Sequence, residues 1–189
     1  MSFWFYHRND HFKSGDGIHG TPEYSDDGDY YFVNGNNLHS GKIYLDAKTK
    51  RVSFSEFQKY KKELNENTML VSINGTIGKI AFYGGEKIIL GKSACYFTLK
   101  DGLVNKIFLY HLIDNPYFIK YAGGNATGST IKNISLKSMR EFPVPYPPIE
   151  LQNQFAEQIK LIEAQKILVQ QNLEKSEGLF LGLLGESFG

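Results

Sequence analysis

From Leu151 to Leu184 the chain contains no proline, and its only glycines there are Gly178 and Gly182. For most of its length the stretch LQNQFAEQIKLIEAQKILVQQNLEKSEGLFLGLL therefore holds nothing that stops a helix. Alternating steps of four and three residues land on Phe155, Ile159, Ile162, Lys166, Val169, Leu173, Ser176, Phe180 and Leu183. All but Lys166 and Ser176 are apolar, which is a heptad seam. Leu161, Ala164 and Leu168 widen it. A helix of about 30 residues is ~45 Å long at 1.5 Å per residue. It can pack wholly against its own domain or meet a second long helix from another chain. The body that precedes it is too small to cover that length, which favours the second arrangement. Just upstream, MREFPVPYPPIE is proline-rich and extended, because proline pushes the residue before it out of the helical region. This is the expected boundary between a body at 1–146 and a helix at 147–189.

The remaining composition narrows the class. Aromatic residues make up 14% of the chain, which suits a β-rich core or an aromatic binding surface. The net charge of +1 gives no support to a nucleic-acid partner in bulk, although positive charge can be confined to one face. Local runs, KTKR at 48–51 and KYKK at 59–62, are equally solvated surface. A single cysteine, Cys95, allows neither a disulfide nor a zinc site within one chain; flanked by apolar residues, it reads as a buried small hydrophobe. MSFWFYHRND lacks the pattern of a signal peptide and GLFLGLLG is too short to span a bilayer. The expectation is a cytoplasmic protein.

Within the body, residues 13–46 are rich in glycine and asparagine and read as loops, with YYFV as one short strand. KRVSFSEFQKYKKELNE at 50–66 reads as a short helix with Val52, Phe54 and Phe57 on its buried side. MLVSINGTIGKIAFYGGEKIILGKSACYFTL shows apolar runs separated by glycine-containing turns, the pattern of an all-β region. LVNKIFLYHLIDNPYFIKYA at 103–122 is helical, ended or kinked by Pro116. GGNATGSTIKNIS then reads as a loop with exposed backbone. GGEKIILGKS ends like a phosphate-binding loop, but the first glycine of that motif would fall at position 86, which is Glu86. Ile88, Ile89 and Leu90 are strand formers, so a β-hairpin is expected there instead.

Three stretches together resemble one family: DGIHGTPEYSDDGDYYFVNGNNLHSGKI, NTMLVSINGTIGKIAFY, and GSTIKNISLKSMREFPVPYPPIELQNQFAEQI. Each is similar to a segment of the target recognition domain in the DNA-specificity subunit of type I restriction-modification systems. The third carries an extended Pro-Pro entry, a Gln-containing turn and the start of a long helix. The resemblance implies an α/β (α+β) fold: an irregular small β-sheet recognition domain followed by a long, coiled-coil-like C-terminal helix. A full specificity subunit carries two recognition domains and two helices, whereas one of each is present here. The chain is expected to be a half-length subunit or a truncated product, and the seam favours the former. Two copies joined through antiparallel helices would read a palindrome with a non-specific gap.

The resemblance also implies a partition of labour. The chain reads DNA without catalysing anything and holds no cofactor. S-adenosylmethionine, ATP and Mg belong to partner methyltransferase and restriction/translocation subunits. YPPI at 146–149 and DNPY at 114–117 both depart from the methyltransferase Asn-Pro-Pro-Tyr motif. Base edges are read by amides, hydroxyls and basic side chains. The candidates fall in three loops: Asn34, Asn36 and Asn37; Ser72, Asn74 and Thr76; Ser129, Thr130, Lys132 and Asn133. Each loop is equally ordinary turn chemistry. Phosphate contacts fall to Lys13, Lys79 and Lys92, with Lys59, Lys61 and Lys62 as further cations. Contact between two copies falls to Phe155, Ile159, Ile162, Val169, Leu173, Phe180 and Leu183. His19 reads as a turn-stabilising residue. Asp26, Asp27 and Asp29 lack the closing glutamate of a calcium loop. The competing reading is a dimeric protein–protein adaptor that no longer binds DNA, supported by the near-zero net charge.

Overall fold

A computed structural model describes residues 11–128 and 132–188, with side chains through residue 184. The chain divides into two units, Met1–Ile149 and Glu150–Gly189.

The first unit is built on a four-stranded antiparallel sheet in the order β1 (Phe12–Asp16), β9 (Ala94–Leu99), β6 (Thr68–Ser72), β7 (Ile80–Phe82). Every residue of β6 is buried, because both faces of this sheet are covered. On one face Met69, Val71, Cys95, Phe97 and Leu99 meet Leu109, Ile113, Phe118, Met139 and Phe142. These come from the helical half: α2 (Lys106–Ile113), α3 (Pro116–Asn125), α4 (Leu136–Arg140) and the turn after it. On the other face Leu70, Ala94 and Tyr96 meet Val33, Ile88 and Leu90. The alternation of β6 and β9 thus sends successive side chains into two different cores.

The second face is closed by a three-stranded sheet in the order β5 (Arg51–Val52), β2 (Tyr30–Val33), β8 (Ile88–Leu90). β2 runs parallel to β8 and antiparallel to β5. Its outer side carries Tyr30 and Phe32, packed with Ile18, Val52, Ile89 and Phe57 of α1 (Phe54–Tyr60). A two-stranded ribbon, β3 (Leu38–His39) and β4 (Lys42–Ile43), completes the unit.

Four sequence expectations for the first unit are revised. GGEKIILGKS is not a hairpin: β8 pairs with β2, and β9 with β1 and β6. The turn at 91–93 therefore carries the chain from one sheet into the other. It is tight enough that a Cβ on Gly91 would lie 2.2 Å from Asn34 Oδ1. Second, the helix expected at 50–66 shortens to α1. Residues 50–52 are drawn into pairing with β2, where Phe32 N–H donates to the Lys50 carbonyl at 2.8 Å. Ser53 then caps the helix through Glu56 N–H. The inward face also differs, since Phe54 is 60% exposed while Glu56 is buried and accepts from Glu23 N–H at 3.1 Å. Third, the helix at 103–122 is two helices. Asn105 and Asn115 each cap one through side-chain oxygens, and Pro116 occupies the first turn of the second, where its missing N–H costs nothing. Fourth, the loop expected after residue 122 contains the end of α3 and is followed by α4, capped by Ser135.

The second unit is helix α5, which begins at Ile149 and runs to Phe188. At 1.5 Å per residue its 40 residues span about 60 Å. The Gln-containing segment expected as a turn is its first turns, with Gln152 and Ala156 buried. From Glu157 to Leu184 no described residue is buried. Of the seam, Ile159 is half-buried, while Phe155, Ile162, Val169, Leu173, Phe180 and Leu183 are exposed, Val169 by 65%. Glu157–Lys160 and Glu163–Lys166 pair along the helix at 2.7 and 2.6 Å. No described helix is long and apolar enough to cross a membrane.

Candidate nucleic-acid interface

The loops singled out in the sequence lie side by side along one edge of the body. Their backbones hold them there. Just beyond the end of β6, Ile73 N–H donates to the Ser93 carbonyl at 2.9 Å, and the Ile73 carbonyl accepts Ile134 N–H at 2.9 Å. Gly75 N–H donates to the Lys132 carbonyl at 3.0 Å, and Asn74 forms a bridge with Asn133. Asn133 is in turn bonded in both directions to Thr127, at 2.8 and 2.9 Å. The second and third loops are therefore one paired structure. Across the turn at 91–93, Ser93 Oγ accepts Gly35 N–H at 2.9 Å and donates to Asn34 Oδ1 at 3.0 Å. This fixes the first loop against the other two.

The nominated side chains sort into frame and surface. Ser72 is fully buried: its hydroxyl donates to the Thr76 carbonyl at 2.6 Å and accepts Lys79 N–H at 2.8 Å. Asn37 bridges its own loop, accepting Asn34 N–H at 2.9 Å and donating to the Tyr44 carbonyl at 3.1 Å. With its oxygen on Ser93, Asn34 is likewise frame. Asn36, Thr76, Lys92, Lys132 and Asn133 are exposed, while Asn74 and Lys79 are half-buried. Among the described residues, Lys79, Lys92 and Lys132 enter no ion pair, so their charges are available to an anion. Ser129 and Thr130 lie outside the described residues.

Lys13 stands apart. It is registered with Thr98, which faces Thr68 at the start of β6. The edge loops follow the other end of that strand, about 13 Å away at ~3.3 Å per residue. Its ammonium pairs with Glu63 at 2.6 Å. Hydrogen bonding to Glu63 raises the Lys13 pKa, and the same bond lowers that of the Glu63 carboxyl. Sequence spacing carries no information about which end of a strand a residue meets, so only the register separates Lys13 from Lys92.

Two neighbours of the edge were not legible as such. Thr127 joins it only through its pairing with Asn133. The ribbon residues His39 and Ser40, with Thr76, Lys79, Tyr110 and Asp114, line a cleft of about 280 Å³ beside the β6–β7 turn. No group of three His, Cys, Asp or Glu able to hold a metal exists among the described residues. Cys95 is fully buried, and burial pushes its thiol far above the ordinary range, which removes it as a nucleophile.

A family model, the type I restriction modification DNA specificity domain, matches residues 11–176. This chain belongs to the type I specificity family. The specificity subunit of the type I restriction enzyme EcoBI of Escherichia coli is 23% identical over 107 residues, 57% of this chain and 22% of that protein. A solved structure described by the complex assembly and conformational transition of the type I R-M system matches with a TM-score of 0.59 and 17% identity. It covers 88% of this chain and 40% of the other. The S subunit of M. genitalium matches at a TM-score of 0.44 and 20% identity, over 69% of this chain and 30% of that one. The chain thus spans under half the length of these relatives. The specificity fold of a mixed body and a long terminal helix is the one described above.

Proposed function

We propose that this specificity domain reads one half-site of a DNA duplex through the edge built from residues 34–37, 72–79, 91–93, 127–128 and 132–133. The observation that carries this reading is the convergence of exposed amide, hydroxyl and unpaired lysine side chains from four separated segments onto one backbone-tied edge. Asn36, Asn74, Thr76, Lys132 and Asn133 supply base-edge contacts. Lys79 and Lys92 neutralise phosphates, and Ser72, Asn34 and Asn37 serve as frame. A few bidentate contacts of ~1–3 kcal/mol each suffice to discriminate a short half-site.

The exposed seam of α5 supports a second element of the proposal. A stripe of leucine, valine and phenylalanine this long is a liability in isolation. Pairing two copies antiparallel through it buries Phe155, Ile162, Val169, Leu173, Phe180 and Leu183. The resulting dimer holds two identical readers at a fixed separation, so its site is a gapped palindrome. In this reading the chain does no chemistry and works in the cytoplasm. Partner methyltransferase and restriction subunits use S-adenosylmethionine, ATP and Mg on the site it selects.

Enrichment of duplexes from a randomised library on the purified chain tests the proposal. The expected result is two inverted half-sites separated by a constant spacer. A dimer that enriches no sequence would instead establish the adaptor reading, which the net charge of +1 favours.

A further inference from the structure

We propose that His19, oriented by Asp16, joins Lys92 as a second phosphate contact at the reading edge, and that this contact exists only when the imidazole is protonated. The inference rests on the DNA-reading proposal above. Ile18 forms a parallel bridge with Gly91. His19 and Lys92 are the next residues on the two segments that this bridge holds side by side. Both are exposed, and the His19 side chain is 76% accessible.

The loop does not need His19 as a staple. Gly17 N–H donates to the Ala94 carbonyl at 3.1 Å and Ile18 N–H to the Leu90 carbonyl at 2.7 Å. A Cβ on Gly17 would lie 2.1 Å from the Gly91 carbonyl oxygen, so the backbones are already in close contact. What the imidazole does have is an oriented hydrogen bond: Nε2 lies 2.8 Å from Asp16 Oδ2. A carboxylate accepts only, so Nε2 carries hydrogen. In the neutral ring Nδ1 is then a bare acceptor, which repels a phosphate oxygen. In the protonated ring Nδ1–H donates to that oxygen while Nε2–H stays on Asp16. Binding the phosphate is thereby coupled to uptake of one proton.

Among the described residues, Asp16 at the end of β1 bonds the ring, and Lys92 follows Gly91 on the segment bridged to Ile18. Arg140 of α4 is engaged by Ser14, with Nε on Oγ at 2.9 Å and a second nitrogen on the carbonyl at 3.2 Å. With the ring neutral, Asp16 and Lys92 cancel; with it charged, the corner is positive.

The test measures anisotropy of a labelled duplex enriched on the wild-type chain, at about pH 6 and about pH 8, the range over which imidazoles titrate. The wild-type chain is expected to lose roughly tenfold in affinity as pH rises, the direction required when the complex binds the extra proton. His19→Gln is expected to bind at both values as weakly as wild type does at the higher one, with a log–log salt slope shallower by ~0.9. His19→Lys restores tight binding without pH dependence. A flat wild-type profile, or His19→Gln equal to wild type throughout, overturns the role of His19. Lys92→Ala is expected to weaken binding at both values, so that loss would leave the reading edge standing when His19 fails. If the wild-type chain enriches no duplex, the DNA reading itself is what fails.

Discussion

Asn36 and Asn37 are neighbours in one loop with opposite duties. The Asn37 side chain makes two hydrogen bonds within the fold, whereas that of Asn36 is exposed and makes none among the described residues. Asn37→Ala is expected to destabilise the body by about 1–2 kcal/mol, seen as a lower urea midpoint. Asn36→Ala is expected to leave that midpoint unchanged and to weaken binding to the enriched duplex. Equal effects of the two on stability would show that the loop is held some other way. Cys95 offers a second residue-scale prediction. Its burial and raised pKa predict no reaction with a thiol-specific alkylating reagent in the native state and full reaction in denaturant, read by mass spectrometry. The asparagines could be nominated from sequence because amides and glycine mark turns. Which amide faced inward was not legible, since that depends on Tyr44 and Ser93, distant in sequence.

The elements show where local signals suffice. YYFV, the apolar runs after residue 67 and the proline-free helix became β2, β6 to β9 and α5, because period and composition dominate there. Two caps, Asn105 and Asn115, divide what looked like one helix; Asn115→Ala is expected to cost about 1 kcal/mol, measured as a shift in thermal midpoint. The sheet assignments were not legible. β8 and β9 follow each other across three residues yet belong to different sheets, and nothing local records that β2 lies beside β8. The seam of α5 is the other case: its apolar residues were visible, and their exposure is now seen. Leu173→Lys, at the centre of that stripe, is expected to convert a dimer to a monomer in sedimentation while the circular dichroism of the body persists. A chain that is monomeric before the substitution would remove the pairing proposal.

At the scale of the molecule, charge and geometry act together. The net charge of +1 conceals three lysines on one edge that enter no ion pair among the described residues, and each phosphate that Lys79 and Lys92 neutralise in the proposed complex is expected to contribute about −0.9 to the salt slope. Two copies engaging DNA are expected to show twice the slope of a monomeric variant with one reader. The ties between the edge loops are largely main-chain to main-chain: Ile73 to Ser93, Ile134 to Ile73, Gly75 to Lys132. Bonds of that kind are indifferent to the side chains they carry. If the edge reads DNA as proposed, a new sequence preference can be written at Asn36, Thr76, Lys132 or Asn133 while the mould beneath keeps its shape, and relatives built this way would diverge in what they recognise without relearning how to fold.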